Sequence, residues 1–110
     1  MFFNATFFGQ LQRQPIFVNV GRGPSVDTTA LLNALRQKQV GFAALDVFEQ
    51  EPLPTADLLW QQDNVLLMPH ISGIFDGYMR AANQIFLANL QQFLINGQLA
   101  QNQVDLTQGY

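Results

Sequence analysis

Apolar residues in this chain are gathered into three short, nearly unbroken runs, Ile16 to Val20, Phe42 to Val47 and Val65 to Met68. Runs of this length, rich in Val, Phe and Leu, read as strands, and their continuous apolarity predicts strands covered on both faces. Between and after them apolar residues recur at spacings of three and four, so strands and helices alternate. That alternation signals βαβ units, an α/β class and a doubly wound parallel sheet. Asp27 is placed to cap a helix with Leu31, Ala34 and Leu35 on one face, Arg36 and Lys38 near its negative end and Gly41 after it. Asp76 is placed to cap a longer helix carrying Met79, Ala82, Phe86, Leu90 and Phe93, stopped by Asn96-Gly97. Asn4 can cap a shorter helix reaching Leu11. The stretch Glu49 to Asp57 holds Pro52 and Pro54 and is predicted as a loop. Residues 1–97 are expected to form one domain and 98–110 a polar C-terminal tail.

Composition narrows the classes of partner. A length of 110 residues with 48% hydrophobic content and ten phenylalanines excludes a disordered chain. It also carries more aromatic surface than so small a domain usually hides, so some is expected to meet a partner. Phe42, Phe48, Phe86 and Phe93 are assigned to the core; Phe2, Phe3, Phe7 and Phe8 to core or interface. The net charge is −3, and the five basic residues, Arg13, Arg22, Arg36, Lys38 and Arg80, are scattered. No basic stripe is present to neutralise a phosphate backbone, so nucleic acid is not an expected ligand. Without cysteine there is no disulfide framework or thiolate metal site, and no metal centre is expected. The start MFFNATFFGQ lacks the basic region of a signal peptide and is too short to span a bilayer, so the expected location is cytoplasmic and off the membrane.

Residues with chemical potential fall just after the strands. In an open parallel sheet, loops converge beyond the carboxyl ends of the strands and ligands bind there. Arg22 follows the first strand in VNVGRG, Glu51 the second in DVFEQEP, and His70, the sole histidine, the third in LLMPHISG. A guanidinium offers a planar fork for a carboxylate, and imidazole titrates near neutrality, with a reference pKa of about 6.5. A glutamate bonded to that ring would stabilise its protonated form. Such a trio can bind a 2-keto acid and protonate its carbonyl. Glu49, the nearest rival to Glu51, is expected to be solvated, and Asp46 can simply cap a turn.

The segments FVNVGRGPSVDTTALLNAL, GFAALDVFEQEPLP and NVLLMPHISG resemble, in order, the signature blocks of the D-isomer-specific 2-hydroxyacid dehydrogenases, from about Phe7 to Gly97. The resemblance implies a partial Rossmann-like sheet of three strands with flanking helices, the C-terminal portion of an NAD-binding domain. By the same resemblance, Arg22 binds the substrate carboxylate and carbonyl, His70 donates or accepts the proton, and Glu51 is its carboxylate partner. Val20, Gly21 and Arg22 would pass close to the cofactor, as would His70, Ile71, Ser72 and Gly73, and Asp46 would contact the nicotinamide end. The cofactor implied is NAD, with NADP left open.

This sequence departs from the family in two respects. The family's substrate domain and G-x-G-x-x-G turn have no counterpart here. Gly21-Arg22-Gly23 mimics that turn, but Val26 replaces its third glycine and Pro24 lacks an N–H for a phosphate oxygen. Met68 stands where the family commonly has threonine before Pro-His. A chain so composed is expected to be inactive alone and to form a homo-oligomer or a complex with an N-terminal half. A non-catalytic binding or assembly module retaining the fold is the alternative.

Overall fold

In the computed structural model, which describes residues 1–107, strands and helices alternate up to the second strand. The order is α1 (Ala5–Gly9), β1 (Ile16–Asn19), α2 (Thr28–Arg36), β2 (Phe42–Leu45), β3 (Val65–Leu67) and α3 (Tyr78–Asn96). The strands form one parallel sheet in sequence order, with Ile16 beside Phe42, Asn19 beside Leu45, and Leu45 beside Leu67. The α/β parallel class follows the sequence pattern. The connection from β2 to β3 does not: it contains a 3₁₀ turn, Leu58–Gln61, and no α-helix. Two compact units divide the chain, the first Met1–Gly73 and the second beginning at Ile74.

In the first unit, local chemistry explains each helix boundary. Asn4 accepts from the Phe7 N–H at 3.1 Å and starts α1, which ends at Gly9, short of the Leu11 expected. Asp27 accepts from the Ala30 N–H at 2.9 Å and starts α2, whose last turn carries Arg36. The inner face of α2, Leu31, Ala34 and Leu35, packs with Phe8, Val40, Ala43, Leu45 and Leu59 in a single buried cluster. Phe3, Phe7, Phe8 and Phe17 stack edge to face beside it.

The sheet is covered on one face only, contrary to the expectation from its continuous apolar runs. Ala43 and Leu45 are buried, whereas Ile16, Val18, Phe42 and Leu66, which the pairing register puts on the opposite face, are exposed. Phe42 is therefore not core. Among the other phenylalanines, Phe8 is buried, Phe3, Phe7 and Phe48 are partly buried, and Phe2 is exposed.

In the second unit, α3 starts behind Gly77, which takes a left-handed φ of 90° and offers no side-chain cap. Asp76 is therefore not the cap. The stop at Gly97, with φ 73°, is as the sequence predicts. Phe86 and Phe93 are exposed rather than core, and α3 buries none of its side chains. Asn89 accepts from the N–H groups of Ala100 and Gln101 and donates to the Gln101 carbonyl, tying the first residues of the tail to the helix. The last three residues of that tail, 108–110, lie outside the described residues.

Leu31 lies at the centre of the cluster at 1% exposure. Leu31→Ala is expected to cost about 2–5 kcal/mol, a fall in Tm readable by circular dichroism.

Candidate active site

The first loop is shaped by a buried side chain that sequence reasoning missed. Asn19 closes β1 at 7% exposure; its Oδ1 accepts from the Gly21 N–H and its Nδ2 donates to the Arg22 carbonyl, both at 3.2 Å. A polar residue inside the apolar run IFVNV was the available signal, since a buried amide must find partners. Arg22 is exposed, and its guanidinium donates to the Gly21 carbonyl at 2.9 Å. The Gly23 backbone lies against Phe48 so closely that a Cβ there would come within 1.8 Å of the Phe48 carbonyl oxygen. That glycine serves contact between two loops.

Asp46 follows β2, and its N–H donates to the Asn19 carbonyl at 2.9 Å, extending the strand pairing by one bond. Its side chain is 3% exposed. The Ile71 N–H donates to Oδ1 and the Ser72 N–H to Oδ2, each at 2.8 Å. Beyond Pro69, His70 turns the chain with a left-handed φ of 55°. Its Nδ1 stands 2.7 Å from Glu51 Oε2, while Glu51 Oε1 accepts from the Phe48 N–H at 2.9 Å. An ionised carboxylate only accepts, so Nδ1 carries the ring proton. Nε2 is left as acceptor in the neutral ring and donor in the imidazolium.

Two carboxyls are tuned by this arrangement. The His70 ring, followed by the Phe48 N–H, holds the Glu51 carboxyl below its ordinary range against opposition from burial and from Asp46. Burial pushes Asp46 up, but hydrogen bonding from Ser72 and from the Ile71 main chain, with the His70 charge, outweighs it and leaves the carboxyl lowered. Both groups are anions at neutral pH.

His70 and Glu51 also line a cavity of about 720 Å³ with the apolar side chains of Phe48, Leu53, Trp60, Leu67 and Met68. The sequence reading missed this apolar wall; LLW after the proline loop was its trace. Trp60 is anchored by an Nε1–H bond to the Pro54 carbonyl at 2.9 Å. Glu49 is not merely solvated, because it accepts from the Thr28 N–H at 2.7 Å in the first turn of α2.

Of the residues singled out by sequence, Glu51 joins His70 directly, and Asp46 joins the His70 loop at Ile71 and Ser72. Arg22 lies three residues beyond Asn19 at the same sheet edge. Among the described residues it takes no part in an ion pair. Val20 and Gly21 are exposed just after β1, as are residues 70–73 after β3. Among the described residues no cluster of side chains fits a metal ion.

Parallel strands with an imidazole–carboxylate pair beyond their carboxyl ends define the class, that of the Rossmann-type dehydrogenases. Residues 1–72 match the D-isomer specific 2-hydroxyacid dehydrogenase family in its NAD binding domain, and the chain belongs to that family. It is similar to glyoxylate/hydroxypyruvate reductase B of Citrobacter koseri, at 49% identity over 63% of this chain and 21% of the relative. A protein of Corynebacterium melassecola without an assigned function is 36% identical over 97% of this chain and 35% of its own length.

Among solved structures, a D-isomer specific 2-hydroxyacid dehydrogenase from Xanthobacter autotrophicus in complex with NADPH and MES superposes with a TM-score of 0.86. It shares 42% identity over 97% of this chain and 34% of that one. An NADPH-dependent glyoxylate/hydroxypyruvate reductase from Sinorhizobium meliloti, in complex with NADP and sulfate, gives 0.86 at 33% identity over 99% of this chain and 35% of that one. The chain thus spans only 21% to 35% of the length of these relatives.

The lowered carboxyls set the acid response. Groups with depressed folded pKa values stabilise the fold fully above the unfolded carboxylate range and lose that contribution as pH falls through the folded values. Melting temperature is expected to hold down to pH about 5 and then fall below about 4, the reference carboxylate range. In Glu51→Gln the fall is expected to be shallower; an identical acid limb in both proteins would remove Glu51 from this role.

Proposed function

We propose that this chain carries the acid–base half of an NAD(P)-dependent dehydrogenase site that interconverts small 2-keto acids and D-2-hydroxy acids. The observation that supports it most is the 2.7 Å contact between His70 Nδ1 and Glu51. In this reading His70 presents Nε2 to the substrate oxygen, giving its proton in reduction and taking it in oxidation. Glu51 holds the ring tautomer through its bond to Nδ1. Arg22 exchanges its bond to a neutral carbonyl for a bidentate, charge-assisted pair with the substrate carboxylate. The substrate class follows the names of the relatives: glyoxylate and hydroxypyruvate are its smallest candidates.

The residues present fit the nicotinamide end of such a cofactor. Val20 leaves apolar surface exposed just after β1, and Asp46 leads the strand edge with two carboxylate oxygens that retain further acceptor capacity. Val20, Gly21, Asp46 and residues 70–73 would hold that end, and the cofactor when bound supplies the hydride. The phosphates find no cradle in the Gly21-Arg22-Gly23 loop, whose last glycine is packed on Phe48. On this ground the chain alone gives little turnover, and NAD and NADP are equally compatible with it. Residues 1–97 act as part of one nucleotide-binding domain, in a cytoplasmic protein.

The activity proposed is therefore that of a larger assembly. The exposed apolar face of β1 to β3, with Ile16, Val18 and Leu66, favours a partner layer, since parallel sheets are normally covered on both sides. A second copy or a separate N-terminal half would supply it. The same surface supports the second reading, a non-catalytic assembly module. Light scattering is expected to give a mass above 12.4 kDa for the purified chain; a monodisperse monomer at high concentration would count against both.

Catalysis and mere assembly separate in a chimaera in which the matching segment of the Citrobacter koseri reductase is replaced by this chain's own. The chimaera is expected to oxidise the reduced cofactor with glyoxylate, and His70→Ala to lower kcat by about 10²–10⁴. The isolated chain serves as the inactive control. A folded chimaera without turnover would sink the catalytic reading, and turnover by the control would sink the claim of inactivity.

A further inference from the structure

We infer that Asp46 is the positioning residue of the acid–base pair: its carboxylate grips the two peptide N–H groups after His70, and so fixes the backbone that aims the imidazole at Glu51. The inference rests on the reading of His70 as proton carrier and adds to any contact of Asp46 with a cofactor.

Three observations carry it. First, His70 adopts a φ of 55°, a left-handed conformation uncommon for a residue with a Cβ. Second, the group that meets this turn is identifiable. A left-handed turn presents successive N–H groups to one side as a concave anion seat, and here the seat of Ile71 and Ser72 is filled by the two oxygens of Asp46, each at 2.8 Å. Third, Asp46 is itself immobile: it is 3% exposed, and its own N–H is bonded to the Asn19 carbonyl of the neighbouring strand. A buried carboxylate needs such partners, and the loop in return takes its shape from the sheet. The direction of the His70 Cβ is set by that backbone, and the ring it carries ends 2.7 Å from Glu51.

Because the chain contains a single histidine, its ring can be observed without ambiguity. Long-range proton–nitrogen correlation spectra of the cofactor-free chain, recorded well above the reference histidine pKa of about 6.5, report which ring nitrogen bears the proton. The wild-type ring is expected to be protonated at Nδ1, facing Glu51, and Glu51→Ala, which leaves no acceptor, defines the spectrum of a broken pair. Asp46→Asn puts an NH₂ against a peptide N–H and removes one grip; it is expected to shift the ring from the wild-type spectrum to that of the broken pair. Asp46→Ala should do so fully. Leu31→Ala is expected to lower Tm while leaving the tautomer as in wild type. Should Asp46→Ala fail to fold, Asp46→Asn decides. A folded Asp46→Asn with the wild-type tautomer, or a Leu31→Ala that shifts it equally, overturns the inference. No cofactor or substrate is involved, so an inactive chimaera would leave this result standing, and the reverse holds as well.

Discussion

Parallel strands deliver their carboxyl ends to one edge of a sheet, and at that edge this chain buries just two polar side chains among the described residues, Asn19 and Asp46. Burying an amide and a carboxylate is costly unless each finds partners. Both find them in the main chain of the loop beyond, Asn19 at Gly21 and Arg22, Asp46 at Ile71 and Ser72. The two are joined through the Asp46 N–H and the Asn19 carbonyl. From there the contacts close into a ring. His70 meets Glu51, Glu51 accepts from Phe48, and the Phe48 carbonyl lies against Gly23, next to Arg22. Three loops far apart in sequence thus hold one another in place.

The electrostatics follow from this ring. Two carboxylates flank one imidazole, and each is kept ionised by hydrogen bonds rather than by exposure alone. They do different work. Glu51 touches the ring and selects its tautomer, whereas Asp46 bonds to the two residues that follow it, Ile71 and Ser72. The guanidinium of Arg22, by contrast, is fixed through its main chain while its side chain rests on its own loop. An imidazole tied to a carboxylate thus shares the sheet edge with a guanidinium whose bond lies within its own loop.

Much of this was legible in the sequence. The three strands, the caps at Asn4 and Asp27, the stop at Gly97 and the meeting of Glu51 with His70 all follow from local rules: a side-chain oxygen before a helix, a glycine after it, a shared sheet edge. What escaped depends on tertiary context. Continuous apolar runs signal two covered faces, but whether a second layer exists is not written in Ile16 or Leu66 themselves. The periodicity of α3 likewise marks an apolar stripe without saying what meets it. Asp76 is a good capping residue that lost its place to Gly77. Asn19 and Trp60 were missed because an amide in a strand and an indole after a loop acquire meaning only when their partners are known.

The uncovered face and the site stand in different relations to the rest of the fold. The ring of contacts is anchored to β1 and β2, and β2 buries Ala43 and Leu45 in the covered core with Leu31 and Leu35. Its geometry therefore draws on packing this chain supplies for itself. Chemistry between side chains depends on their being held in place, and the His70–Glu51 geometry is held by the chain's own core. The loop after β1 is shaped differently: Pro24 carries no N–H and Gly23 is packed on Phe48. The imidazole–carboxylate pair thus takes its geometry from packing within these residues, whereas the loop after β1 spends its glycine on a contact with its neighbour.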